Sequence, residues 1–111
     1  MRTIFTVVLA LSLSAPFGAF AADAAAGKAK AIAAGCVACH GEDGNGANPR
    51  VPNVPKLAGQ YASFLVRALM DYKLGMRTNA MMSGFAATLT DEDRANIAAH
   101  YASQPGLRVL E

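Results

Sequence analysis

The sequence predicts an all-α domain, and three observations carry that expectation. Apolar residues recur at helical spacing in the second half of the chain. Start and stop residues bracket each helical stretch. No segment alternates apolar and polar residues as a half-buried strand would, and no internal repeat is present.

The elements follow in order. Asp23 can cap a first helix that runs through the alanine-rich stretch to about Ala34, where Gly35 ends it. Gly41, Gly44, Gly46, Pro49, Pro52, Pro55 and Gly59 then forbid regular structure, and a loop of that length in so small a domain needs a reason. Tyr61, Phe64, Leu65, Ala68, Leu69 and Tyr72 form one apolar face of the clearest helix. Arg67 and Asp71 can pair on its exposed side, and Gly75 is its natural stop. A short irregular stretch carrying Met76, Met81 and Met82 is expected next. Thr90 caps the last helix, Asp91, Glu92 and Asp93 favour its positive end, and Pro105-Gly106 closes it. Ile97, Ala98 and Tyr101 share a face there. The expectation is three main helices and one long Gly/Pro-rich loop.

The 111 residues bound the chain to one compact domain. Its opening has the layout of a secretory leader: Arg2, an apolar run from Ile4 to Leu13, and Ala19-Phe20-Ala21 at the cleavage position. The predicted organisation is a leader at residues 1–21 and a mature domain at 22–111. A retained anchor fits less well, because Ser12, Ser14, Pro16 and Gly18 interrupt an apolar stretch shorter than the roughly 20 residues of a span. The formal net charge is +2, and loss of Arg2 brings the mature chain closer to neutrality. No basic cluster suggests nucleic acid, and no cationic amphipathic helix suggests a membrane surface. The mature chain is therefore expected to be soluble and periplasmic. So short a chain builds a thin core, and its two cysteines allow at most one disulfide, so another source of stability is expected.

Cys36-Val37-Ala38-Cys39-His40 supplies that source: it is the signature of covalent haem attachment. On one helical turn the two thiols lie on the same side and can reach the two vinyl groups at a porphyrin edge, while His40 reaches the iron. Rival readings are weaker. A redox Cys-x-x-Cys belongs in a βαβ context that is absent here. A disulfide over two intervening residues closes too small a loop to stabilise much. A structural zinc needs four ligands, and the whole chain has two Cys and two His. The reading is one haem c per chain, attached through Cys36 and Cys39, with His40 as an axial ligand.

From about Ala25 to Gln104 the chain resembles the class I cytochromes c, and among them the bacterial cytochrome c4/c5-like group. Cys36 to Asn45, Val54 to Gln60, Gly75 to Asn79 and Met82 to Asp93 each resemble a family block, in order. The best-known c4 proteins carry two domains in tandem, whereas a single CxxCH makes this chain resemble a single-haem relative. The resemblance implies the cytochrome c fold, with the long loop wrapped around the haem. It also implies a methionine as second axial ligand, a soft donor that raises the reduction potential. Aligning Leu89-Thr90-Asp91 on the family's Leu-Ser-Asp puts that ligand at Met82, with Met81 as the alternative; Met70 and Met76 read as packing residues.

Further roles come from the same resemblance. The Pro55 carbonyl accepts the far N–H of the His40 ring, and Leu57 lies against the haem face. Arg77 and Asn79 contact propionates, with a solvated arginine as the alternative. Phe64, Leu65, Leu69, Phe85, Ile97 and Tyr101 are the expected lining. One departure is His100, which stands where relatives place an aromatic residue; it reads as a partly exposed packing residue, with an iron ligand or proton-linked modulator as alternatives. The Gly41 to Gly46 stretch lacks a third oxygen ligand at Ala47 for a calcium loop, so turn chemistry explains it.

With both axial positions filled by protein, the implied function is outer-sphere electron transfer, not enzymatic catalysis. The expected protein is a periplasmic single-haem carrier moving one electron at a time between respiratory or dehydrogenase partners, through small transient contacts. The alternatives are a haem-bearing subunit bound to a catalytic chain in a larger periplasmic oxidoreductase, and a sensing haem protein if Met82 is labile. Lys28, Lys30, Lys56 and Lys73 are candidates for a modest positive rim that steers partners.

Overall fold

The computed structural model describes residues 21–46 and 50–107. The leader read at residues 1–21 lies outside the described residues except for Ala21, as do Ala47 and Pro49 of the long loop. Five helices form: α1 (Ala24–Ala33), α2 (Cys36–His40), α3 (Ala62–Leu74), α4 (Ala80–Ala86) and α5 (Asp91–Ala102). Among the described residues there is no strand, and those from Gly41 to Gly46 and from Arg50 to Gln60 are irregular.

Helices α1, α4 and α5 begin where a side chain satisfies one or more of their first amides. The Asp23 carboxylate accepts from the backbone N–H of Ala25 at 2.9 Å and of Ala26 at 3.0 Å. Its own N–H reaches the Asn96 side-chain oxygen at 2.8 Å, so the start of α1 is tied to α5. Gly75 ends α3 with φ +75°, a left-handed conformation that glycine adopts without strain. Arg67 and Asp71 pair on α3 at 3.0 Å.

One element departs from expectation. The stretch holding Met81 and Met82 is not irregular but helical, because the Asn79 side chain caps it by accepting from the Met82 N–H at 3.0 Å. Seven residues containing Gly84 give no periodic apolar signal, and the cap alone marks the element.

The last helix opens with a reciprocal cap. Asp93 N–H donates to the Thr90 hydroxyl at 3.1 Å, and Thr90 N–H donates to the Asp93 carboxylate at 3.0 Å. That backbone donor, helped by Lys30 at 3.4 Å, holds the Asp93 carboxyl below its ordinary value of 3.8. A carboxyl depressed on folding stabilises the fold above its unfolded value and loses that contribution as pH falls through the folded value. D93N, which keeps an acceptor oxygen but removes the charge, is expected to lose about 0.5 kcal/mol at neutral pH, the size of a solvent-screened charge at a helix N-terminus. The gap between D93N and the parent in urea unfolding is expected to close as pH drops below 3.8.

Helices α1 and α5 make the most extensive contact, and α3 packs on both α5 and α4. At the α1–α5 crossing Gly27 lets the backbones touch: a Cβ there would lie 1.7 Å from the Asn96 carbonyl oxygen. The core is small, built from Ala31, Leu65, Leu89, Ile97, Ala98 and Tyr101. Much of the apolar face of α3 turns elsewhere, with Phe64 50% and Tyr61 47% exposed. No helix of the described residues is long and apolar enough to cross a membrane.

Candidate functional site

The uncommitted face of α3 borders a cleft, and α2 stands at its edge. This first cleft has a cavity volume of about 110 Å³ and is walled by Phe64, Leu65, Ala68 and Leu69 of α3 and by Ile97, Ala98 and Tyr101 of α5. A second cleft, of about 260 Å³, lies between the Val51–Pro55 segment of the loop and Met81 and Phe85 of α4. Cys36, His40, Pro55, Tyr72 and Met82 line both, so the two are halves of one site. Spaces of a few hundred Å³ with mostly apolar walls and a few polar groups are what ligand sites look like.

Helix α2 is a single turn set apart by two glycines with positive φ, Gly35 at +84° and Gly41 at +82°. It presents Cys36, Cys39 and His40 together. The buried His40 ring donates from Nδ1 to the Pro55 carbonyl oxygen at 3.0 Å, which leaves the lone pair on Nε2. Burial pushes the His40 pKa down from 6.5, against the opposing pull of the Pro55 carbonyl, so the ring is neutral at pH 7 and able to bind a metal. Burial also pushes the Cys36 thiol up from 9.0, the opposite of what a nucleophilic or redox cysteine requires. Neither cysteine forms a disulfide.

The loop that follows is folded against α5. His100 donates from Nε2 to the Glu42 carbonyl at 2.8 Å, and the Tyr101 hydroxyl donates to the Gly41 carbonyl at 3.2 Å. Burial holds the Tyr101 proton well past the ordinary value of 10.0, so this donor persists. Leu57 N–H returns to the Gly44 carbonyl at 2.7 Å. Together these bonds turn the chain back so that Pro55 faces His40, which is the reason the long loop needed.

The residues singled out in the sequence fall as follows. Leu57 and Arg77 line the first cleft, and the Arg77 guanidinium sits 4.9 Å from the Tyr72 ring centre. Of the six expected lining residues, Phe64, Leu65, Leu69, Ile97 and Tyr101 border the first cleft and Phe85 the second. Met82 is half-buried and borders both clefts, whereas Met81 is 60% exposed and borders one. Asn79 reaches the second cleft, but its side chain is engaged as the α4 cap.

Three expectations need correction. Met76 is 73% exposed and packs little, because Gly75 has already turned the chain off α3. His100 is not partly exposed but 4% exposed, and it lines neither cleft; it borders a polar groove with Lys28 and Glu42 on the other side of the loop. The lysine rim largely dissolves: Lys28 pairs with Glu42 at 2.7 Å, Lys30 with Asp93 at 3.4 Å, and Lys73 bonds the Leu89 carbonyl at 3.1 Å. Two participants escaped the sequence reading. Tyr72 borders both clefts, and its place at the end of the α3 apolar face was the available signal. Arg94, 2% exposed inside α5, gave none.

The profile of the cytochrome c family matches residues 24–104. The chain belongs to the cytochrome c family. It is 47% identical over 103 residues to cytochrome c4 of Pseudomonas aeruginosa, a match covering 93% of this chain and 48% of that protein. It is also 47% identical over 87 residues to cytochrome c-554(548) of Halomonas halodenitrificans, covering 76% of this chain and 99% of the relative. The crystal structure of reduced recombinant cytochrome c4 from Pseudomonas stutzeri superposes with a TM-score of 0.68 at 41% identity, over 78% of this chain and 48% of that one. The fold is that of the class I cytochromes c, and the chain spans about half the length of the cytochrome c4 relatives it matches.

As a cytochrome c domain with one CxxCH arrangement, the chain carries covalent haem c through Cys36 and Cys39. The donor set fits that group on physical grounds: two thiols outside any disulfide and a neutral imidazole share one turn, beside a cleft walled mainly by hydrocarbon.

Proposed function

We propose that this family member is a periplasmic single-haem electron carrier whose iron is ligated by His40 and Met82. One observation carries the reading: the His40 ring, oriented by Pro55, and the Met82 side chain border the same two clefts. The haem supplies the one-electron couple. The chain's own part is to fix both axial donors, keep the His40 tautomer through Pro55, and exclude water with the walls of α3 and α5. A buried, apolar site with a thioether donor favours the ferrous state and raises the potential. Filled axial positions leave no place for a substrate at the iron, so the protein passes electrons to and from redox partners without performing catalysis of its own. Residues 1–21 act as an export leader, so the exported protein is expected to begin at Ala22 on N-terminal sequencing.

The test is an absorption spectrum of the exported protein in both redox states, with and without carbon monoxide. The expected result is a low-spin c-type spectrum with a methionine–iron charge-transfer band and no response to carbon monoxide. M82A is expected to abolish that band and M81A to keep it. A high-spin spectrum, or a band lost in M81A but kept in M82A, would overturn the assignment.

A second reading, a haem subunit held by a catalytic chain, is favoured by the exposure of Leu74 at 63%, Met76 at 73% and Met81 at 60%. Stable co-purification with a catalytic chain at native abundance would establish it in place of the free carrier.

A further inference from the structure

We propose that Arg94 and Lys73 are positioning residues that hold the Met82-bearing helix against the cleft by clamping the Leu89 carbonyl. The proposal rests on Met82 being the axial ligand. Leu89 ends the short connection from α4 to the Thr90 cap of α5, and its carbonyl oxygen receives two cations. Arg94 Nη1 donates to it at 2.6 Å from α5, and Lys73 Nζ donates at 3.1 Å from α3. A carbonyl oxygen has two lone pairs, and both are thus taken by charge-assisted bonds, the stronger kind.

The arrangement is built, not incidental. The Arg94 side chain is among the largest fully buried in the molecule, and a buried guanidinium is costly unless its donors are met. Its other nitrogen pairs with Asp91, so the Leu89 carbonyl completes the set. Any movement of Leu89 outward strands a buried charge. The Leu89 N–H is also spoken for, donating to the Ala86 carbonyl at 3.2 Å, and Ala86 and Leu89 are both buried. The end of α4 is therefore pinned to α3 and α5 together, while Asn79 caps its first turn and α4 packs along α3. A helix whose end is held in this way resists swinging outward, and Met82 lies on it.

Imidazole added to the ferric, haem-loaded full chain competes for the position Met82 occupies, so its apparent affinity reports the fraction of molecules in which that position is open. K73M, which removes one clamp donor from an exposed side chain, is expected to raise that affinity roughly tenfold, the equivalent of one charge-assisted hydrogen bond. R94M is expected to raise it further and to weaken the methionine–iron band, with R94K restoring part of both. D23A removes the α1 cap and serves as the control: it is expected to lower the unfolding midpoint while leaving imidazole affinity at the parent value.

The clamp is refuted if K73M and R94M bind imidazole like the parent, or if D23A raises the affinity as much as they do. If R94M does not fold, K73M decides. M82A separates the two layers of the argument. Should M82A keep the band, the ligand assignment fails and the clamp falls with it. Should M82A lose the band while K73M binds imidazole like the parent, the clamp alone fails.

Discussion

Replacing Gly27 by alanine is expected to destabilise the protein by roughly 3 kcal/mol or more, at the upper end of what overpacking does to a well-packed interior. The added methyl would lie 1.7 Å from the Asn96 carbonyl oxygen, 2.3 Å from its carbon and 2.9 Å from the Ile97 nitrogen. All three are backbone atoms, so no side chain can rotate away, and α1 must separate from α5. That separation also strains the bond between Asp23 N–H and the Asn96 side chain. Alanine's better helix propensity opposes the effect by only about 1 kcal/mol, so sterics decide the sign. Against a total stability of about 5–15 kcal/mol, the loss is large. At Gly84 in α4 a new Cβ meets no protein atom within 4 Å, and G84A is expected to be neutral or slightly stabilising. Urea unfolding of the two variants beside the parent measures the contrast; equal midpoints would refute the close-packing argument.

Removing both thiols, C36A with C39A, is expected to abolish covalent haem and, with it, cooperative folding. Among the described residues, half of the eight buried hydrophobic ones are alanines, namely Ala31, Ala58, Ala86 and Ala98, so side-chain burial outside the cleft is meagre. The larger apolar groups, among them Phe64, Leu69 and Phe85, face the clefts. A fully buried side chain of that size stabilises a fold by about 1.5–3 kcal/mol, and these gain little unless an apolar occupant meets them. Either single variant keeps one attachment point and is expected to retain haem and fold. Protein mass, haem retention after denaturation and far-ultraviolet circular dichroism are the measurements. A double variant that melts cooperatively at the parent temperature without haem would show that the polypeptide carries its own core.

What the sequence made legible was local. Asp23, Thr90 with Asp93, and Gly75 mark helix ends through bonds a few residues long, so their chemistry can be read from spacing. The Cys36 to His40 turn is equally local. Among contacts between distant segments, the His40–Pro55 bond was reached only through the family resemblance, and most others were not legible. Nothing near Gly27 announces Asn96, nothing near Glu42 announces His100, and the burial of Arg94 depends on a carbonyl at the end of α4. The lysines looked like a rim because their partners, Glu42 and Asp93, lie on other elements. Helix α4 was hidden for a different reason: its formation rests on the Asn79 cap and on packing with α3, and so short an element has little propensity of its own.

The self-contained turn at Cys36–His40 has a kinetic consequence. Everything needed to capture the prosthetic group covalently sits within 5 consecutive residues, whereas closing the domain joins segments as far apart as Asp23 and Asn96, separated by 73 positions. Joining distant segments carries a loop-closure entropy that a single turn does not. Attachment can therefore precede folding, on a chain that is still extended. Once tethered, the group would offer an apolar surface to the side chains of α3 and α5 that line the first cleft. The α1–α5 seam, by contrast, needs its two ends brought together across nearly the whole domain, so covalent capture and domain closure are separable steps.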